Sequence, residues 1–110
     1  MQFINIFHII LFSFFSFVSQ VSLLVNNAGV MGEREGWKLC LDINLYGVLL
    51  GCDQMFKRAT PSDDSPEAPA EDPQLTVINV ASILGLFTGH EPKGWAYNAS
   101  KSGVVVATRY

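Results

Sequence analysis

The sequence predicts an α/β fold with a doubly wound parallel sheet, because apolar runs of strand length alternate along the chain with longer segments of helical periodicity. Val21–Asn26 and Leu75–Val80 are short, continuous apolar runs, as expected of buried parallel strands. Trp37–Arg58 and Ala96–Tyr110 are the two predicted helices that follow them. The order strand, helix, strand, helix is typical of folds in which helices cover a parallel sheet.

The first predicted helix carries apolar residues on two of its sides. The first stripe repeats at intervals of three and four residues and consists of Leu41, Leu45, Val48, Cys52 and Met55. The second strip consists of Ile43, Gly47 and Leu50. A helix that is apolar on two sides is buried on two sides, so we expect it to contact the sheet and a partner.

Length, charge and cysteine content restrict the class of protein. The 110 residues suit one small domain, and the net charge of −3 gives no indication of a basic surface for nucleic acid. Cys40 and Cys52 are twelve residues apart with no histidine near them, which is neither a zinc-binding spacing nor a redox pair. We therefore predict no metal site and two buried free thiols, which fit a reducing compartment and hence a cytoplasmic protein.

Three segments are predicted to be loops. Ala59–Gln74 holds four of the five prolines and five acidic residues without a basic one, so it is expected to be solvated and irregular. Val30–Gly36 is rich in glycine and charge, and Ala81–Trp95 contains three glycines and a proline. The carboxyl ends of the predicted strands, at Asn26–Gly29 and Ala81–Ser82, lead into the last two of these loops, and ligands bind at such ends in doubly wound sheets.

Residues 1–20 form a hydrophobic segment that we separate from the predicted domain at 21–110. A signal peptide needs a positive start, and the segment has no Lys or Arg. A membrane helix needs ~20 apolar residues, and the run Ile4–Val18 is shorter and contains polar residues.

The Phe and Ser codons of residues 1–20 can be all pyrimidine, as in the tract before a splice acceptor, and Gln20 stands where the CAG of that acceptor would be read. We interpret the segment as translated intron; a genuine signal or anchor, which would imply a membrane or secretory location, and an unusual buried element are the alternatives.

Tyr97 and Lys101 lie four residues apart in a predicted helix and therefore share one face of it. An ammonium group beside a phenol favours the phenolate, which makes the tyrosine usable as an acid or base near neutral pH. By itself this spacing is a weak pattern, because Tyr and Lys often occur together on solvated helix faces.

Ser82 and Asn44 each allow two interpretations. Ser82 follows a predicted strand at its carboxyl end, where ligands bind in such sheets, but it is equally typical of a turn. Asn44 lies within the apolar helix, and a buried Asn needs hydrogen-bond partners. It is either a satisfied core amide or helix kink, or a polar group that holds water near Tyr97 and Lys101.

Four patterns then occur in one order: N-N-A-G at 26–29, Asn44, N-V-A-S at 79–82 and Y-N-A-S-K at 97–101. Together they resemble the short-chain dehydrogenase/reductase family, over a stretch from about Val21 to Tyr110. The motif sequences are most similar to those of NAD-preferring alcohol dehydrogenases of the 15-hydroxyprostaglandin dehydrogenase type. The resemblance implies a partial Rossmann-like sheet, from the family's fourth strand through part of its tyrosine-bearing helix.

The resemblance also implies a role for each motif residue. Tyr97 would be the general acid/base, and Lys101 would promote its ionisation and hold the nicotinamide ribose. Ser82 would orient the substrate oxygen, and Asn44 would anchor a water in the proton relay. The adenosine side of the cofactor would be lined, and the sheet braced, by Asn26, Asn27, Ala28 and Gly29.

By this resemblance the function is the NAD(P)-dependent interconversion of a secondary alcohol and a ketone, with NAD slightly favoured over NADP. The substrate would be a small molecule, and the complete protein would be a homo-oligomer joined through the two helices. The family's glycine-rich phosphate turn and first three strands are missing, so we expect the chain to be inactive as written. The interval from Ser82 to Tyr97 is slightly long, which affects the path of the loop but not the register of the motifs. The alternatives are a non-catalytic fragment that pairs with an intact subunit, and a small membrane-tethered protein that uses Ile4–Val18.

Overall fold

The computed structural model describes residues 21–32, 34–59, 75–87 and 94–109. The hydrophobic segment 1–20 and its interpretation as translated intron, signal or anchor lie outside these residues. The acidic part of the predicted loop, residues 60–74, also lies outside them.

Two parallel strands and the helices between and after them confirm the predicted α/β fold. β1 (Leu23–Asn26) pairs with β2 (Thr76–Asn79), with Leu23 opposite Thr76 and Asn26 opposite Asn79. β1 begins two residues inside its predicted run and ends at the last residue of that run, and β2 begins and ends one residue inside its own. Because the strands are parallel and in register, their carboxyl ends lie side by side.

A long helical stretch joins the two strands and changes its winding in the middle. A single 3-10 turn (Arg34–Gly36) leads into α1 (Trp37–Leu41), which runs into a π-helical turn (Asp42–Tyr46) and then α2 (Gly47–Ala59). A π turn is wider than an α turn, and such turns are frequent at functional sites. The stretch extends one residue beyond the predicted helix, but its π turn is not foreseeable from apolar spacing.

The structure corrects the predicted burial of this helix. The buried positions are Cys40, Asn44, Gly47, Val48, Gly51 and Met55. Leu41 and Leu45, which the predicted stripe placed in the core, are only half-buried. The core-facing side keeps spacings of three and four residues through the π turn, and Cys40 and Asn44 occupy it in place of Leu41 and Leu45.

The strands are covered on one face and half-exposed on the other, which corrects the expectation of fully buried strands. A Cβ on Gly51 would lie 2.6 Å from Asn26 Oδ1 and 3.0 Å from Leu24 Cδ2, so α2 packs closely on that face of β1. Side chains alternate across a strand. Leu23 and Ile78 consequently point away from α2 and remain 52% and 48% exposed.

The second predicted helix is α3 (Trp95–Ala107), which ends three residues before the predicted boundary. A 3-10 turn (Ile83–Gly85) lies against it, and a Cβ on Gly85 would come within 2.6 Å of the backbone carbon of Lys101. Only glycine permits that approach without movement of backbone. Near the start of α3 the ring of Trp95 lies 5.6 Å from that of Trp37, centroid to centroid. Within the described residues, none of the helices has the length and hydropathy to cross a membrane.

Candidate active site

The carboxyl ends of β1 and β2 are joined by side chains as well as by the backbone. Asn26 Nδ2 donates to Asn79 Oδ1 (2.8 Å), and Asn79 Nδ2 donates to Thr108 Oγ1 (3.1 Å) just after α3. The thiol of Cys52, from α2, donates to Asn79 Oδ1 at 3.8 Å. This bonding supports the bracing role expected of Asn26, whose side chain faces α2 rather than the loop that follows.

Asn44 projects from the π turn into the loop that follows β1. Its Oδ1 accepts from the backbone N–H of Val30 (2.7 Å), and its Nδ2 donates to the carbonyl oxygen of Val30 (2.8 Å). The residue is 0% exposed. Asn44 is therefore a satisfied core amide in an irregular helix, and its amide oxygen keeps a second lone pair for a further donor.

Cys40 and Ser100 complete the surroundings of the Asn44 amide. Asn44 Nδ2 also contacts Ser100 Oγ at 3.2 Å and Cys40 Sγ at 3.3 Å, as donor in both cases. The Cys40 thiol donates to the Val30 carbonyl (3.4 Å), and the Ser100 hydroxyl donates to the carbonyl of Tyr97 (2.7 Å). We name Cys40, Asn44 and Ser100 the amide cluster; all three are 0% exposed.

Lys101 brings α3 to the end of β2. Its Nζ donates to the carbonyl oxygen of Val80 at 2.7 Å, and only 4% of the residue is exposed. The same Nζ lies 5.9 Å from the centroid of the Tyr97 ring. An ammonium group has three N–H donors, so two remain for other acceptors after the bond to Val80.

Gly29 lies between the two polar side chains that flank the loop. A Cβ at this position would be 3.5 Å from both Asn44 Oδ1 and Lys101 Nζ. The structure thus brings together Gly29, Asn44 and Lys101, three of the residues that the sequence singled out. Asn27 and Ala28 are exposed beside them.

Ser82 and Tyr97 form the more open part of the site. Ser82 Oγ accepts from the backbone N–H of Leu84 (3.2 Å) and so caps the 3-10 turn, as its turn interpretation predicts. Its hydroxyl proton is not used in that bond. Tyr97 is half-buried, and no hydrogen bond joins its hydroxyl to Ser82 within the described part of the chain.

Two members of the amide cluster were not predicted as site residues. Cys40 was assigned to the core as a free buried thiol, and it is indeed buried and free. Its spacing of four residues from Asn44 was the available signal, since residues four apart share a helix face. Ser100 gave no signal of its own, because its partner Asn44 lies 56 residues away in the sequence.

The fold and site define an α/β unit with a cluster of polar side chains at the carboxyl ends of two parallel strands. The sequence model of the short chain dehydrogenase family matches residues 11–110, so the chain belongs to that family. This confirms the resemblance found from the motifs, while the 15-hydroxyprostaglandin dehydrogenase-like detail stays a prediction. No curated protein matches the chain.

Solved structures share the fold. The chain is similar to a 3-oxoacyl-acyl-carrier-protein reductase from Brucella melitensis, with a TM-score of 0.65 and 22% identity over 94% of this chain. It is also similar to RhlG of Pseudomonas aeruginosa in an active-site complex with NADP, with a TM-score of 0.66 and 22% identity over 94% of this chain. The chain spans 43% and 40% of the lengths of these two proteins.

Proposed function

We propose that residues 21–110 are the catalytic part of an NAD(P)-dependent oxidoreductase that interconverts a secondary alcohol and a ketone. The observation that carries the proposal is the meeting of Asn44, Lys101 and Gly29 at the carboxyl ends of the strands, with the Tyr97 ring beside Lys101. This edge of a parallel sheet is where ligands bind in α/β folds. The family membership of the chain supports the same assignment.

Tyr97 is the proton-transferring group in this proposal. In the oxidation direction its phenolate takes the proton of the substrate hydroxyl, while Lys101 stabilises the negative charge before transfer. The free hydroxyl proton of Ser82 is available for a bond to the substrate oxygen. A bound nicotinamide cofactor would supply the hydride acceptor for this oxidation, and Lys101 and the loop at Gly29 would hold it.

The residues present fit the nicotinamide end of a dinucleotide. Lys101 has unused N–H donors for ribose hydroxyls, and Gly29 leaves room beside it because it has no side chain. Asn27 and Ala28 are exposed on the same loop and are the proposed adenosine-side contacts. Asn44 Oδ1 keeps one lone pair that can accept from a relay water.

The choice between NAD and NADP is part of the test. The resemblance of the motifs to NAD-preferring enzymes favours NAD, whereas the RhlG complex contains NADP. Titration of the chain with each dinucleotide, followed by tryptophan fluorescence, compares their dissociation constants. The proposal would be contradicted if neither dinucleotide bound to the chain or to a fusion of the chain with the dinucleotide-binding half of a family member.

Turnover is measured in that fusion, because the 110-residue chain covers less than half of the similar enzymes and we expect it to be inactive alone. Tyr97→Phe removes only the hydroxyl that moves the proton, so oxidation of a secondary alcohol should slow by ~10²–10⁴-fold. Dinucleotide affinity should change little, because the ring is retained. Lys101→Ala should lower both turnover and affinity.

Tyr46→Phe is the matched control for the tyrosine variant. Tyr46 lies in the π turn and is exposed. The substitution removes an equivalent hydroxyl, but one that is away from the strand ends. Its turnover should equal that of the unchanged protein. Near-normal turnover of Tyr97→Phe would show that the base has been assigned to the wrong residue.

The outer face of the helical stretch favours a second candidate, pairing with another subunit of the family. Leu41, Leu45, Tyr46 and Leu49 line an open groove together with Asp42. Tyr46 and Leu49 are exposed, and contiguous apolar surface of this kind marks interaction sites. A partner helix laid in the groove would give the two-sided burial expected for this helix, in a homo-oligomer or with an intact relative.

Association is tested by light scattering of the unchanged protein and of Leu49→Asp. A charge in the groove should shift an oligomer to the monomer, whereas Lys57→Asp, farther along the exposed side of α2, should not. A monomeric unchanged protein that also fails to bind an intact family subunit would remove this candidate.

A further inference from the structure

We infer that Ser100 is a positioning residue that ties the Asn44 amide to α3. The inference rests on the proposed function for its catalytic meaning, but its geometry does not. Ser100 lies between Tyr97 and Lys101 in sequence, and its hydroxyl is the contact between the π turn and the backbone of the tyrosine. No substrate or cofactor contact is assigned to it.

The bonding of Ser100 has a defined direction. A serine hydroxyl has one proton, and that proton is donated to the Tyr97 carbonyl at 2.7 Å. The Ser100 oxygen can therefore only accept from Asn44, which must present its NH₂ group at 3.2 Å. The other end of the amide, Oδ1, then faces the Val30 N–H.

This orientation determines where the free lone pair of Asn44 lies. Oδ1 is the atom of Asn44 nearest to the Gly29 side of the loop, at the same distance from a Gly29 Cβ as Lys101 Nζ. A rotated amide would place NH₂ against the Val30 N–H, two donors facing each other. The backbone of Val30 thus selects the orientation, and Ser100 accepts from the NH₂ end that this orientation presents to α3.

Burial makes the bond between Ser100 and Asn44 important. Cys40, Asn44 and Ser100 are all 0% exposed, so bulk water does not replace a bond that is lost within the amide cluster. Without the Ser100 hydroxyl the Asn44 NH₂ group keeps Val30 and Cys40 as acceptors but loses its bond to α3, so we expect the cluster to open more often. Opening exposes Cys40, whose thiol is otherwise bonded to the Val30 carbonyl.

Ser102 provides a matched control two residues farther along α3. Its hydroxyl donates to the Gly85 carbonyl at 2.6 Å and contacts no member of the amide cluster. Both serines lie in the same helix and bond a carbonyl oxygen. A substitution at Ser102 therefore reports the general effect of losing a serine hydroxyl from α3.

The test follows the modification of both free cysteines in the full chain by a thiol reagent, resolved by peptide mass spectrometry. Ser100→Ala, which loses one hydrogen bond of the cluster, should raise the rate at Cys40 about fivefold and leave the rate at Cys52 unchanged. Ser102→Ala should change neither rate. Ser100→Thr, which keeps the hydroxyl, should restore slow modification of Cys40.

Several outcomes would overturn the inference. It fails if Cys40 reacts no faster in Ser100→Ala than in Ser102→Ala, or if both cysteines accelerate equally, which indicates general destabilisation. If Ser100→Ala does not fold, fast modification of Cys40 in Ser100→Thr would count against the hydroxyl. The assay uses neither dinucleotide nor alcohol, so a positive result stands even if the proposed oxidoreductase activity is absent.

Discussion

The two halves of the site differ in how their polar groups are bonded. On the side of the loop after β1, Asn44 is bonded to Val30 and Ser100, and Lys101 to the Val80 carbonyl. On the side of the 3-10 turn after β2, Ser82 keeps its proton and Tyr97 is half-buried. The first, which we call the closed half, holds segments in place; the second, which we call the open half, leaves groups available for a reacting molecule.

This difference teaches that motif residues do not all contribute in the same way. The amide cluster is buried and saturated, so its substitution should act first on folding. Ser82 and Tyr97 have few internal contacts, so their substitution should act first on turnover. The predictions below separate these two effects, beginning with the largest expected change in the free energy of unfolding.

Asn44→Leu should destabilise the chain most. Leucine has a similar size but cannot bond the N–H and carbonyl of Val30, and each buried group left unpaired costs about 1–3 kcal/mol. Urea unfolding followed by circular dichroism measures the change. A loss of stability no larger than that of an exposed substitution would mean that the closed half is not held by this amide.

Gly85→Ala tests how the open half is attached to α3. The new Cβ would lie 2.6 Å and 2.7 Å from the carbon and oxygen of the Lys101 backbone, so backbone must move. Overpacking of this kind costs about 1–3 kcal/mol. Gly36→Ala is the control, because nothing lies within 4 Å of its Cβ and its φ of −85° suits any residue. Equal stability of the two variants would contradict the close approach.

Ser82→Ala should lower turnover more than stability, which is the opposite of what we expect for Asn44→Leu. It removes one cap of a short turn, which costs about 0.5–2 kcal/mol at most. Turnover in the fusion should nevertheless fall, with dinucleotide affinity unchanged. If the rate were unaffected while the chain lost several kcal/mol, Ser82 would belong to the closed half.

Lys57→Ala should have the smallest effect. Lys57 Nζ bonds Asp53 Oδ2 at 2.6 Å along the exposed side of α2, and both side chains are about half exposed or more. Such exposed pairs contribute about 0.2–1 kcal/mol. The free energy of unfolding should therefore change by less than for Ser82→Ala. A larger loss would show that this ranking of the four substitutions by stability is wrong.

The sequence predicted the order of strands and helices and the family motifs because these depend on local apolar spacing and short patterns. It placed Tyr97 and Lys101 on one helix, and the structure adds that Lys101 reaches Val80 across the sheet edge. The π turn was not predictable, since an apolar repeat of three and four does not reveal one wide turn. The partners of Asn44 were not predictable either, because Val30 and Ser100 are distant from it in sequence.

The paired amides of Asn26 and Asn79 have a consequence for how the chain should tolerate a change in length. A slip of one residue would turn every side chain of a strand to the opposite face, and it would separate the two amides. The alignment of the two strand ends is thus fixed by contacts between neighbouring strands and not by the chain that connects them. A change in the number of residues within 60–74 should therefore leave Gly29 and Lys101 at the same separation.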